Sequence, residues 1–111
     1  MKKIEAIIDP CEMQQVKNAL IKIGIQRMTI SRVDELESQK DHKLFYRGNE
    51  YRIDVVREFK IELMVTTDEM LSQVIEAIEK NTKTKIIGGR EIFVSPVEQV
   101  IQLRAHPSHP L

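Results

Sequence analysis

Two apolar, strand-like segments flank a long polar stretch, Asp34–Arg52, reading D-E-L-E-S-Q-K-D-H-K-L-F-Y-R-G-N-E-Y-R. Nine of its residues carry formal charge, and no helical or strand period runs through it. A connection of that length inside a compact domain is usually functional or disordered. The stretch is therefore expected to be an arm carried by a small scaffold. Near its end, Tyr46-Arg47-Gly48-Asn49-Glu50-Tyr51 puts two phenols on it. Leu44, Phe45 and Tyr46, adjacent and flanked by charge, suit docking of the arm on a partner, with Arg47 and Tyr51 beside them.

The scaffold reads as two matching halves. Residues 2–8 alternate, Ile4, Ala6 and Ile8 against Lys3, Glu5 and Ile7, which is the period of a half-buried strand. Asp9-Pro10 breaks it. From about Glu12, Met13, Val16, Leu20 and Ile23 recur at helical spacing, and Gly24 follows as a C-terminal cap. Ile25–Val33 holds a second strand, centred on Met28-Thr29-Ile30. After the arm, Ile53 and Val55 begin a third strand whose clearest part is Phe59, Ile61, Leu63 and Val65. Thr66-Thr67-Asp68-Glu69 is a helix start, with Thr or Asp as cap. Met70, Leu71, Val74, Ile75 and Ile78 form that helix's buried face. A loop over Asn81–Arg90 leads to a short strand, Ile92–Val94, stopped by Ser95-Pro96, and Val100–Arg104 is a last extended piece. The Pro-containing tail 105–111 continues neither a helix nor a central strand.

The order β-α-β, arm, β-α-β predicts an α+β, ferredoxin-like βαββαβ sandwich, with both helices on one face of an antiparallel sheet. The other face is left uncovered, and a partner subunit is its expected cover. At 111 residues the chain is one domain. Lys plus Arg equals Asp plus Glu at 17 each, so no basic field steers it to nucleic acid. Aromatics are 5% with no Trp, which argues against a stacking platform for single strands. The one cysteine, Cys11, excludes an internal disulfide and fits a reducing compartment. It reads as a small packed or bystander residue. No apolar run suits a signal peptide or a membrane span, so a cytoplasmic protein without direct membrane insertion is expected. His42, His106 and His109 lack metal-ligand spacing, and no nucleophile–base pair marks an enzyme.

Five blocks resemble the PII nitrogen-regulatory signal-transduction family. They are M-K-K-I-E-A-I-I at the start, Gly24–Thr29, Gln39-Lys40, Y-R-G-N-E-Y and I-F-V-S-P-V-E at Ile92–Glu98. The resemblance spans nearly the whole chain. It implies a homotrimer that holds ATP or ADP in clefts between subunits, with magnesium accompanying ATP. A T-loop, here about residues 36–55, would control a transporter or metabolic enzyme in nitrogen or nutrient uptake. A shorter B-loop would cover about residues 82–90.

By the same resemblance, Met28, Thr29 and Met64 lie near adenine and ribose. Ile87, Gly88, Gly89, Arg90 and Arg104 lie near the nucleotide, and Gln39 and Lys40 report its phosphates. Glycine-exposed backbone N–H groups with an Arg fork do suit a polyphosphate. Tyr51 matches a phenol uridylylated in some members, and Asn49 replaces a serine phosphorylated in others. The family's 2-oxoglutarate site pairs that dianion with a lysine where this chain has Glu58, and its loop glycines are Glu37 and Asp41 here. Weak or absent 2-oxoglutarate binding is expected. Two readings stand beside the regulator: a small ferredoxin-like enzyme, and an interaction module with no ligand.

Overall fold

The computed structural model describes residues 1–39, 52–82 and 91–104. Four strands, β1 (Lys2–Ile8), β2 (Thr29–Gln39), β3 (Arg52–Val65) and β4 (Ile92–Pro96), alternate with two helices, α1 (Met13–Lys22) and α2 (Asp68–Lys80). The sheet order is β2-β3-β1-β4, and every pairing is antiparallel. This is the ferredoxin-like arrangement predicted from the element order.

The core lies between the helices and one sheet face. Strand alternation delivers Ile4, Ala6 and Ile8 from β1 and Ile61, Leu63 and Val65 from β3. Helical spacing delivers Met13, Val16 and Leu20 from α1 and Val74, Ala77 and Ile78 from α2. All of these are buried.

Local chemistry fixes the helix ends. The Asp9 carboxylate accepts from the Cys11 N–H at 2.9 Å, and Pro10 opens a single 3-10 turn, Pro10–Glu12, that feeds α1. That turn displaces the predicted helix start by one residue. Gly24, at φ +101°, takes the left-handed conformation that ends α1, where a side chain would be strained. At α2, the Thr67 hydroxyl accepts from the Met70 N–H at 3.1 Å, with Asp68 and Glu69 in the first turn. Thr67→Ala leaves that donor to water. Unfolding in denaturant is expected to show a loss of about 0.5–2 kcal/mol.

Four sequence expectations change. The polar stretch is not all arm, because β2 runs to Gln39 and β3 begins at Arg52, with the two paired to their ends. Ladder hydrogen bonds to β3 hold Asp34–Gln39 as strand where hydrophobic alternation gives no signal. The expected T-loop span therefore contains paired strand at 36–39 and 52–55. The second strand starts at Thr29 and leaves Met28 just outside it. β4 passes through Ser95 to Pro96, because on an outer strand one side of the backbone needs no N–H donor. Cys11 is exposed, so of its two readings the packed one falls and the bystander one stands.

Candidate functional site

The sheet face away from the helices carries a closed ring of charge. Lys3 Nζ lies 3.1 Å from Glu5 and 2.9 Å from Glu62, and Lys60 Nζ lies 3.6 Å from Glu5 and 3.1 Å from Glu62. Register makes the ring necessary, since β1–β3 pairing sets Glu5 directly opposite Glu62. Like charges directly across a ladder are destabilising, and the two lysines separate them. The hydrogen bond from Lys3, then that from Lys60, holds the Glu62 carboxyl below its ordinary pKa. Both ammonium groups are pushed up, each with its hydrogen bond to Glu62 as the largest cause.

Around this neutral ring the face is apolar and open. Met64 is 47% exposed and Phe93, opposite Glu5, is 56% exposed. The ring escaped the sequence reading, although its signal was present: all four residues sit at alternate positions on the outward sides of β1 and β3.

Two of the candidate nucleotide residues, Thr29 and Met64, lie at one end of this face, with a third, Met28, just before β2. Thr29 opens β2 opposite Glu62, Met28 precedes it against the core, and Met64 lies two residues beyond Glu62 on β3. Gln39 closes the same strand, 11 residues long. At about 3.3 Å per residue, Thr29 and Gln39 are roughly 33 Å apart, farther than one nucleoside triphosphate reaches. Arg104 is exposed beyond β4. Lys40, Leu44, Phe45, Tyr46, Arg47, Tyr51, Ile87, Gly88, Gly89 and Arg90 lie outside the described residues. So does the tail 105–111.

A cavity of about 330 Å³ opens beside the ends of β1 and β4, lined in part by Ile7, Ile78, Thr82, Glu91 and Ile92. Thr82 and Glu91 on its rim are the residues from which the glycine-bearing loop departs and returns. Glu58, in β3, is buried at 2% exposure. Glu12, in the turn before α1, is buried as well. Neither burial was foreseen, because a Glu on an alternating strand or at a helix start reads as solvated. Among the described residues no group of His, Cys, Asp and Glu could hold a metal ion. Nor is any described helix long and apolar enough to cross a membrane.

The family model described as nitrogen regulatory protein P-II matches residues 1–107. The chain belongs to that family. It is 45% identical over 106 residues to the nitrogen regulatory protein P-II of Porphyra purpurea, covering 96% of this chain and 94% of the relative. To the namesake protein of Rhodobacter capsulatus it is 46% identical over 104 residues, covering 94% and 92%. A solved structure of B. subtilis GlnK superposes with a TM-score of 0.71 at 32% identity, over 87% of this chain and 84% of the other. The P-II protein described here is thus a signal-transduction regulator and not an enzyme.

Proposed function

We propose that this P-II protein holds ATP or ADP between neighbouring copies of a homotrimer and converts occupancy of that cleft into the position of its arm. The separation of Thr29 from Gln39 along β2 carries the reading. Residues about 33 Å apart in one chain meet on one small ligand only if two copies supply them. Met28, Thr29 and Met64 of one copy would take the base and ribose. Gln39, Ile87, Gly88, Gly89 and Arg90 of a second copy, with Arg104, would take the phosphates. The donor set fits, with an apolar floor for the base and guanidinium and backbone N–H groups for a polyanion. Magnesium would accompany ATP through the phosphates.

The arm, with Leu44, Phe45, Tyr46, Arg47 and Tyr51, docks on a cytoplasmic target, a transporter or metabolic enzyme in nitrogen or nutrient uptake. Tyr51 is its modification site. A ligand shifts the arm only by its difference in affinity for the two arm positions, so nucleotide contact at Gln39, the arm's foot, is the lever. The exposed apolar sheet face, with Met64 and Phe93 around a charge-neutral ring, suits burial against other subunits.

ADP or ATP at ~100 times its dissociation constant is expected to add about 2.7 kcal/mol to stability. In a thermal scan at fixed protomer concentration that is a rise in Tm of about 10 °C. No shift with either nucleotide would overturn the reading.

A further inference from the structure

We infer that the cavity beside the C-terminal end of α2 is a binding site for a small apolar amine, an ammonium group on a hydrocarbon body. This does not depend on the nucleotide reading, because the cavity floor belongs to the other side of the sheet. Thr29, paired with Glu62, and Met64 share the outward side with the charge ring. The floor is instead made by core residues, Ala6 and Ile8 of β1 and Ile78 of α2. β4 is an outer strand, and its register with β1 puts Ile92 opposite Ala6 and Val94 opposite Ile4, on that same core side. Val94 nevertheless stays 40% exposed, so the helices leave this end of the apolar layer open. Alanine at position 6, between the larger Ile4 and Ile8 on one side of β1, supplies the depth.

The rim is built entirely of acceptors. Glu79 and Glu91 both line the cavity and both are exposed. Neither forms an ion pair among the described residues. The cation in the last turn of α2, Lys80, lies 2.7 Å from Glu76 and is spent on the helix's own surface. The Thr82 hydroxyl, also on the rim, donates its proton to the Ile78 carbonyl at 2.8 Å, which leaves only its lone pairs for a ligand. The negative end of the α2 dipole falls at the same place.

These features select the ligand by charge and size. Two carboxylates and a helix C-terminus repel a phosphate or a carboxylate, so the site is not made for an anion. A neutral hydrocarbon would cover the floor and leave the rim unused. A bare metal ion would meet an apolar floor, and no group of the described residues could hold one. A primary ammonium has three donors and no acceptor, which matches two carboxylates and a hydroxyl oxygen. The volume of about 330 Å³ is at the small end of ligand pockets, which run from about 300 to 1,000 Å³. At about 30 Å³ for a water-sized group, it takes a body of about ten non-hydrogen atoms.

Phenethylamine is the probe, titrated at neutral pH into the full chain with its isoleucine methyl groups labelled for NMR. Saturable shifts are expected at Ile8, Ile75, Ile78 and Ile92, which line the cavity, and none at Ile21 or Ile30, which do not. Phenethyl alcohol keeps the body without the charge, hydrocinnamate reverses the charge, and methylamine keeps the charge without the body. Each should bind at least about ten-fold more weakly, the scale of two exposed ion pairs or of the lost apolar contact. Glu79→Gln with Glu91→Gln should weaken phenethylamine about ten-fold and bring it level with the alcohol. Both substitutions are at exposed positions, and the methyl spectrum of the variant reports that its core is intact. ADP at saturation should leave the amine bound. Four results would each overturn the site: no saturable shift at the lining methyl groups, as when Lys83 or Lys85 of the chain's own segment 83–90 already holds the rim; equal affinity for amine and alcohol; an amine affinity unmoved by the double substitution; or displacement of the amine by ADP.

Discussion

Leu20→Ala will destabilise the protein by about 2–5 kcal/mol, whereas Ile21→Ala, one residue along the same helix, will change stability by no more than about 0.5 kcal/mol. The two substitutions remove similar numbers of carbon atoms from α1. Leu20 is fully buried in the core and Ile21 is 55% exposed. Truncating Leu20 loses the transfer free energy of its side chain and leaves a cavity that close-packed neighbours only partly fill. Ile21 already meets water, and alanine is the better helix former, so its loss is nearly neutral. With a total stability of order 5–15 kcal/mol, the Leu20 variant sits near the folding threshold. Equilibrium urea unfolding at one protomer concentration checks the pair, because association shifts apparent stability. Equal midpoints for the two variants would mean that the core is not where the sheet and helices place it.

The contrast between Leu20 and Ile21 was partly legible in the sequence. Helical spacing put Val16 and Leu20 on the buried face of α1, and alternation put Ile4, Ala6 and Ile8 on the buried face of β1. Those periods are set by backbone geometry, and a sequence carries them directly. What the sequence hid was set by pairing rather than by period. Asp34–Gln39 is held in β2 by hydrogen bonds to a strand that begins at Arg52, and its mixed, charged side chains give no alternation to read. Glu5 and Glu62 face each other only because register says so, and register cannot be read from either strand alone. Glu58 reads as an ordinary outward strand residue, and only the tertiary structure buries it. The candidate site divides in the same way. Pairing of β2 with β3 sets Thr29 and Met64 at one end of the sheet, with Met28 just before β2, while Gln39 lies at the far end of the strand.

Glu58 also sets the second large effect: the ATP-loaded protein will not bind 2-oxoglutarate with micromolar affinity. The family resemblance places a lysine at this position, pairing with the dianion at the foot of the arm. Here the side chain is a carboxyl group, buried at 2% exposure. As a carboxylate near ~4 Å it would repel a second carboxylate by roughly 1–4 kcal/mol, depending on screening. As a neutral acid it would still supply no positive charge, so the ammonium contact is absent in either form. Glu37 and Asp41 add acid where the resembling loops carry glycine, and the sequence offers no compensating cation at those positions. Glu58→Gln removes the repulsion with little change of shape. It should strengthen 2-oxoglutarate binding roughly five-fold to several-hundred-fold, the range those energies imply at about 1.4 kcal/mol per ten-fold. Glu58→Lys should go further if the fold accepts it, and urea unfolding of that variant shows whether it does. Calorimetric titration of 2-oxoglutarate into the ATP- and magnesium-loaded protein reads all three. Micromolar binding by the unmodified chain would show that the dianion finds its counter-charge elsewhere, and that Glu58 does not decide what this regulator senses.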